Sequence, residues 1–451
     1  MEIVEEDHVF YTYPRKKYPV IERGEGIYLY DEEGKRYIDA PGGALVVTIG
    51  HGVKKIAEVM KEQAEKGAFL SRTQFTNRPL QGLAKRISMM APGDLDKVIL
   101  TSGGSEAVEV AIKLARKYHV ERKNFSKFKI ISRWESYHGN TIAGLSLSGH
   151  TSRRKDYIPL LFNHPHIPPA YCYRCPLDKE YPKCNIDCAR ILEGVILQEG
   201  PENISAFIAE PIVGATVAAL IPPKEYFPII REICEKYDVV MIMDEVMTGF
   251  GRTGRNFAID HWGVIPDIIT FAKGVASGYF PIGGIVAKNK FFEAVKENSG
   301  IFLGGYTFSG NPLACAVGIA VLDYVQENDL IRRSAMMGDY FLDRLKILQT
   351  HPSVGDIRGK GLMLGIEFVK NKTTKEPFDP KFHYTQRIVD RALSKGLILY
   401  PGGPCVDGVR GDDILIGPPF IITESQIDEI MEILDETITE VEEELSEQIG
   451  R

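Results

Sequence analysis

Short, continuously apolar runs alternate with helical stretches between about residues 97 and 272, and this pattern restricts the possible folds more than any other feature of the chain. "KVIL" precedes Thr101, "FKIIS" precedes Arg133, "ISAFIAE" ends at Glu210, "VVMIMDE" at Glu245 and "DIITFA" at Ala272. "SEAVEVAIKLARKY" and "EYFPIIREICEKY" lie between them with helical spacing of apolar residues. Strands that are apolar throughout are buried on both faces, and strands joined through helices run parallel. The expected fold class is α/β, with a mainly parallel sheet covered by helices.

The flanks read differently. "GEGIYLYDEEGKRYIDAPGG" (Gly24–Gly43) alternates apolar and polar residues around "DEEGK", a β-hairpin pattern, and a helix is expected at about Val53–Glu65. Beyond about residue 326 come a helix at "GDYFLDRLKIL", an alternating strand at "GLMLGIEFV" and a short strand in "DDILIGPPFIIT" that stops at prolines. A last helix begins near "TESQIDEIMEILDETITEVEEEL", with Thr423 and Ser425 as candidate N-caps. A chain of 451 residues is too long for one simple core. The expected division is a large domain over 61–325 and a smaller α+β domain assembled from 1–60 and 326–451.

Bulk properties exclude several classes of function. The net charge is −7 and lysines and arginines are dispersed, which argues against nucleic acid as a partner and against a basic membrane-binding patch. The apolar stretch "AFIAEPIVGATVAALIPP" is interrupted by Glu210 and by prolines, so it reads as core strand and loop, not a membrane span. The N-terminus is acidic and lacks an apolar signal core, so a cytoplasmic location is expected.

Parallel sheets bind ligands at the carboxyl ends of their strands, and that is where the unusual polar residues fall. Gly103, Gly104 and Ser105 follow one strand and open a helix, a plausible phosphate cradle. Tyr137 and His138 follow the next and offer flat rings. Glu210 ends a third strand. Asp244 and Glu245 end the fourth, where burial costs several kcal/mol unless each carboxylate has a partner. Lys273 ends the fifth, where an amine can lose its charge and form an imine with a carbonyl. Each residue has an ordinary structural reading. Together they suit a flat aromatic aldehyde with a phosphate and a ring nitrogen, which describes pyridoxal 5'-phosphate (PLP).

With these residues in place, the chain resembles the class III aminotransferases, PLP-dependent enzymes of fold type I. The resemblance runs from "GIYLYDEEGKRYIDAPGG" and "IGHG" to "GPPFIIT". It is most specific in "DEVMTGFGRTG", "ITFAKG" and "YTFSGNPLACA", with Lys273 following Asp244 by 29 residues. It implies a large domain built on a seven-stranded sheet. It further implies that Lys273 binds the cofactor aldehyde and shuttles the proton, and that Asp244 pairs with the ring nitrogen. Val246 and Tyr137 would cover the two ring faces, with His138 beside them. Gly103, Gly104 and Ser105 would hold the phosphate, Glu210 would lie on the substrate side, and Thr307 would reach the phosphate of a neighbouring subunit. A homodimer or a dimer of dimers with shared sites follows. The implied reaction is ping-pong transfer of an amino group from an amine, ω-amino acid or amino acid to a 2-keto acid. A racemase or epimerase on the same fold is the alternative.

Two departures from the family pattern stand out. Many relatives that use α-amino acids and 2-oxoglutarate carry an arginine where this chain has Leu415, in "DDILIGPPF". Leucine binds no carboxylate. Arg410, in "DGVRGDD", resembles the mobile arginine of amine:pyruvate relatives and equally reads as a solvated loop residue. This favours pyruvate as acceptor and counts against the racemases. The second departure is "CYRCPLDKEYPKCNIDC", which spaces Cys172, Cys175, Cys184 and Cys188 as C-x2-C-x8-C-x3-C. Such thiols suit structural Zn²⁺ or an iron–sulfur cluster, two disulfides, or four reduced side chains, in each case away from the chemistry.

Overall fold

The computed structural model describes residues 8–449. Its central sheet has seven strands, β1 (Leu95–Thr101), β2 (Lys129–Arg133), β3 (His166–Ile167), β4 (Ile204–Ala209), β5 (Val240–Asp244), β6 (Ile268–Phe271) and β7 (Gly283–Lys288). Their order across the sheet is β1-β7-β6-β5-β4-β2-β3. Neighbours are parallel except around β7, which runs antiparallel to both β1 and β6. The five apolar runs legible in the sequence are β1, β2, β4, β5 and β6. The other two escape the apolar pattern because β3 is only two residues long and β7 opens with paired glycines.

The apolar runs are double-faced, as the sequence requires. Ala206, Ile208, Val240, Ile242 and Ile268 point to one side, where the Gly104–Glu121 helix buries Ala107, Val108, Val110, Ala111 and Leu114 against them. The alternate residues Phe207, Met241, Met243 and Ile269 enter the core on the other side, with Tyr226, Phe227 and Ile230 of the Tyr226–Lys236 helix. Each fully buried side chain of this size contributes about 1.5–3 kcal/mol. Most side chains within the strands are thus committed to packing, and chemistry is left to the residues at and just past the strand ends.

Both chain ends contribute to smaller sheets. Ile21–Glu25, Tyr28–Asp31 and Arg36–Asp39 form an antiparallel meander, and Leu397–Ile398 adds in parallel through Leu397 opposite Ile38. A second sheet joins Val354–Gly359, Leu364–Phe368, Asp412–Ile416 and Tyr400–Pro401. The helix expected near Val53 spans Lys54–Lys66, and the last helix spans Glu424–Ile449. Thr423 caps that helix: its hydroxyl accepts from the Gln426 amide at 3.3 Å, and the Gln426 side chain accepts from the Thr423 amide at 3.0 Å. Ser425 instead hydrogen-bonds the Thr423 hydroxyl at 3.1 Å. Among the described residues, no helix is long and apolar enough to cross a membrane.

One buried cation ties these parts together. Arg252 donates to the carbonyls of Leu362 (3.0 Å), Pro418 (2.6 Å) and Val47 (2.9 Å). It therefore links the segment after β5 to both chain ends. Burial pulls its pKa down to about 9. Carbonyl oxygens are its hydrogen-bond partners, and no carboxylate is in salt-bridge contact among the described residues.

Candidate active site

The carboxyl ends of β5 and β6 open into a cavity whose lining includes Gly104, Ser105, Tyr137, Glu210, Asp244 and Lys273. His138, Val246 and Met247 complete much of the rest. Asp244 is the last residue of β5 and is buried. Its Oδ2 lies 2.8 Å from His138 Nδ1, and its Oδ1 accepts from the Thr270 hydroxyl at 3.1 Å and the Val246 amide at 3.2 Å. His138 is buried too, and its Nε2 has no hydrogen-bond partner among the described residues.

Lys273 follows β6 with a φ of 47°, in the left-handed region that costs a non-glycine residue about 1–3 kcal/mol. That conformation holds because Val275 and Ala276 beyond it are buried and the Ala276 and Ser277 amides both bond to the Lys273 carbonyl. Burial drives the Lys273 pKa down to about 8, against the pull of Asp244 and Glu210 and with the help of Arg252 and Arg153. The amine is thereby neutral in a larger fraction of molecules at neutral pH than an ordinary lysine.

The carboxylate of Glu210 organises backbone. Its two oxygens accept from the Tyr137 amide at 3.0 Å and the Gly214 amide at 3.1 Å. Burial raises its pKa, with Asp244 adding to the rise. Glu245, adjacent to Asp244, turns away from the cavity. It accepts from the Ala258 and Ile259 amides at 2.9 and 2.8 Å and from the Thr248 hydroxyl. The acid pair of the sequence is therefore one site residue and one turn-capping residue.

Glycines shape the wall beside Asp244. A Cβ on Gly104 would meet Val246 Cγ1 at 2.9 Å, and one on Gly139, whose φ is +108°, would meet Ser105 Oγ at 2.7 Å. A Cβ on Gly103 would meet open space. Gly103 is the N-cap of an 18-residue helix, and the Ser105 hydroxyl accepts from the Asn140 amide at 3.1 Å.

Comparison with known proteins fits this geometry. The family model described as aminotransferase class-III matches residues 12–438. The chain belongs to the class III aminotransferases. An uncharacterized aminotransferase of Bacillus subtilis, YodT, is 40% identical over 429 residues, covering 95% of this chain and 96% of the relative. The putrescine–pyruvate aminotransferase of Pseudomonas aeruginosa is 36% identical over 428 residues, covering 94% and 91%. Among solved structures, an (S)-enantioselective omega-transaminase from Thermomicrobium roseum superposes with a TM-score of 0.90 at 37% identity, covering 96% of each chain. The fold-type I α/β architecture expected from the sequence is the one observed.

PLP is the cofactor of class III aminotransferases, and the residues of this transaminase fit it. Asp244 presents a buried carboxylate whose hydrogen-bond partners include no lysine or arginine. Open space faces Gly103 at a helix N-terminus. A lysine of lowered pKa stands in the same cavity.

Three expected groups lie elsewhere in the aminotransferase. Arg410 is held at the surface: its Nε donates to Asp407 Oδ2 at 2.7 Å and its side chain is 56% exposed. It lines a separate depression with Lys370 and Phe378 and not the Lys273 cavity. Thr307 is exposed in a turn and is likewise absent from that cavity's lining. The cysteines of the 172–188 segment are unpaired thiols, Cys172 exposed and the other three partly buried. Burial and then the neighbouring Cys172, Cys184 and Cys175 push the Cys188 thiol up to about 12. Among the described residues, no group of three or more His, Cys, Asp or Glu side chains is arranged to hold a metal ion. The Zn²⁺ expectation thus finds no ligand set.

Leu415 is buried in a cluster with Met247, Met363 and Ala218, against which Tyr137 also packs. The place where relatives carry an arginine is therefore apolar and contiguous with the cavity wall. The sequence reading missed Met247, Gly139, Arg252 and Arg153. Of these, Met247 and Arg252 had an available signal, their positions inside "DEVMTGFGRTG".

Proposed function

We propose that this transaminase moves an amino group from an amine, ω-amino acid or amino acid to a 2-keto acid, with pyruvate favoured, in two half-reactions sharing one site. When bound, PLP supplies an electrophilic aldehyde carbon and a pyridine ring that accepts electrons. Asp244, fixed by His138, Thr270 and the Val246 amide, holds a proton on the ring nitrogen by pairing its charge with it. Gly103, Gly104 and Ser105 would hold the phosphate at the helix N-terminus. Tyr137 and Val246 would cover the ring faces, and Glu210 sets the backbone that carries Tyr137. Lys273 Nζ would hold the cofactor through its aldehyde carbon in the resting enzyme. With Nζ free, the Lys273 amine would take a proton from the donor's amine-bearing carbon and return one, a role suited to a pKa near 8.

The observation that supports this reading is that Lys273 and Asp244 line one cavity together with Ser105 and Tyr137. Pyruvate is favoured because Leu415 leaves the cavity wall apolar, and because a 36% identical relative is a putrescine–pyruvate aminotransferase. We also place the protein in the cytoplasm as a homodimer, or a pair of dimers, with Thr307 serving the partner's phosphate. The test is spectroscopic. An amine should convert the visible band of the holoenzyme to that of the aminated cofactor, and pyruvate should reverse the change better than 2-oxoglutarate. A persistent band with loss of the donor's optical activity would mean racemisation instead.

A further inference from the structure

A keto acid brings a carboxylate to a site whose wall at Leu415 is apolar, so a cation must come from elsewhere. The nearby arginines are mostly engaged. Arg252 is enclosed by three carbonyls, and Arg410 pairs with Asp407 at the surface. Arg358 and Arg174 are bound to Glu367. Arg153 differs. It lies in the short helical turn Thr151–Arg154, and its guanidinium stands 4.9 Å from the ring centroid of Tyr137. Tyr137 lines the Lys273 cavity. No hydrogen bond or ion pair to the Arg153 guanidinium is found among the described residues. It is half-buried, so water screens it less than a surface charge.

We propose that Arg153 is the cation that receives the carboxylate of the keto acid, resting on Tyr137 when the donor carries no carboxylate. This rests on the aminotransferase reading above and names its acceptor-specificity residue. The energies favour such exchange. A cation over a tyrosine face is held by a weak contact that strengthens only when water is excluded. A bidentate guanidinium–carboxylate pair is a stronger, charge-assisted contact with matching planar geometry. A carboxylate entering beside Tyr137 can therefore draw Arg153 off the ring, and an apolar amine leaves it there. Its backbone position is secured independently, since the Arg153 amide donates to the His150 carbonyl at 3.2 Å. The His150 side chain is itself buried. The charge already acts on the reacting group, because Arg153 is among the residues that disfavour protonation of Lys273.

The experiment uses the holoenzyme, wild type against Arg153→Ala and Arg153→Gln, with two readouts. Calorimetric binding of propionate, a carboxylate that cannot react, should weaken at least tenfold in both variants. In stopped-flow half-reactions, the loss of kcat/KM for pyruvate should exceed the loss for butylamine at least tenfold, with Arg153→Lys recovering part of it. Equal losses for pyruvate and butylamine, or propionate affinity within twofold of wild type, overturn the proposal. Arg153→Gln keeps the side chain's reach, so a folding defect confined to Arg153→Ala does not decide the matter. Propionate binding involves no turnover. It therefore judges Arg153 even if wild-type enzyme leaves the cofactor band unchanged with butylamine, the result that would instead refute the aminotransferase reading for that donor.

Discussion

Two buried carboxylates at strand positions, Asp244 and Glu367, are satisfied in opposite ways. Glu367 lies in the Leu364–Phe368 strand and is fully buried. It accepts from Arg174 Nε at 2.5 Å, from Arg358 Nη1 at 3.0 Å and from the Tyr171 hydroxyl. Two guanidinium groups thus match its charge within the chain. Asp244 has a hydroxyl, a backbone amide and an imidazole, but no arginine or lysine in contact among the described residues, and it borders a cavity. A buried charge with internal counter-charges is structural. One whose counter-charge must enter from outside suits a cationic ligand, and under the function proposed above that ligand is a protonated ring nitrogen.

The largest expected effect breaks the catalytic side of that comparison. Lys273→Ala should reduce turnover by about 10⁴-fold, the upper range for a positioned acid–base group, while leaving the protein folded. Turnover within tenfold of wild type would sink the assignment. Asp244→Asn comes next. The variant should still bind PLP, yet lose about 10²–10³-fold in kcat through loss of electrostatic stabilisation. An unchanged rate at neutral pH would make Asp244 a structural carboxylate like Glu367.

The structural side should respond in stability instead. Arg358→Met removes the contacts of Arg358 with Glu367, Asp356 (2.7 Å) and the Ala218 carbonyl (2.7 Å). Leaving Glu367 short of a partner should cost about 3–5 kcal/mol in denaturant unfolding. kcat per folded molecule should stay within about twofold, the size of a surface-substitution effect on ΔG. A large loss of kcat without loss of stability would erase the distinction between the two carboxylates.

Glu135 sharpens the comparison through pH. It is buried with Oε2 unpartnered, and burial, then the charges of Asp407 and Asp413, raise its pKa to about 8. Between its ordinary pKa of 4.5 and about 8, the folded state holds a proton that the unfolded chain has released. Stability from this group is therefore fully present below pH 4.5 and is lost as pH rises towards and through 8. Glu135→Gln should flatten that slope, and its stability relative to wild type should grow from pH 5 to pH 8 by up to a few kcal/mol. A difference independent of pH would mean that Glu135 is charged in the folded protein.

The floor of the site was legible in the sequence, whereas much of its rim was not. Lys273, Asp244 and Glu210 could be placed because a continuous apolar run announces a buried strand, and the first polar residue after it stands at the ligand edge. The bond between His138 and Asp244 joins residues 106 apart in the chain and depends on sheet order, which local patterns do not encode. β7 was hidden because glycines and a proline precede its apolar residues, and the Gly283 backbone packs closely on Gly103. Arg153 sits in "HTSRRKDY", an ordinary polar loop by composition, and only the fold of that loop brings it over Tyr137. Arg410 is the opposite case. Its position along the chain resembles that of a carboxylate-binding arginine, yet a three-residue turn gives it to Asp407.

The smallest expected effect follows from that last contrast. Asp407 accepts from the Arg410 amide at 2.7 Å as well as from its side chain, so the carboxylate stays bound to backbone when the guanidinium is removed. The pair is solvent-exposed, with side chains 56% and 37% accessible, and such pairs contribute about 0–1 kcal/mol. Arg410→Ala should therefore shift stability by less than about 1 kcal/mol, and more weakly at high salt. Its apparent KM for pyruvate should stay within about threefold of wild type, because the surface depression it lines is separate from the Lys273 cavity. Steady-state kinetics of Arg410→Ala beside Arg153→Ala checks this directly. A KM for pyruvate raised tenfold or more in Arg410→Ala, with the amine half-reaction spared, would restore Arg410 as the arginine that swings in. Asp407 would then be its resting partner, and the apolar wall at Leu415 would be served from the opposite rim.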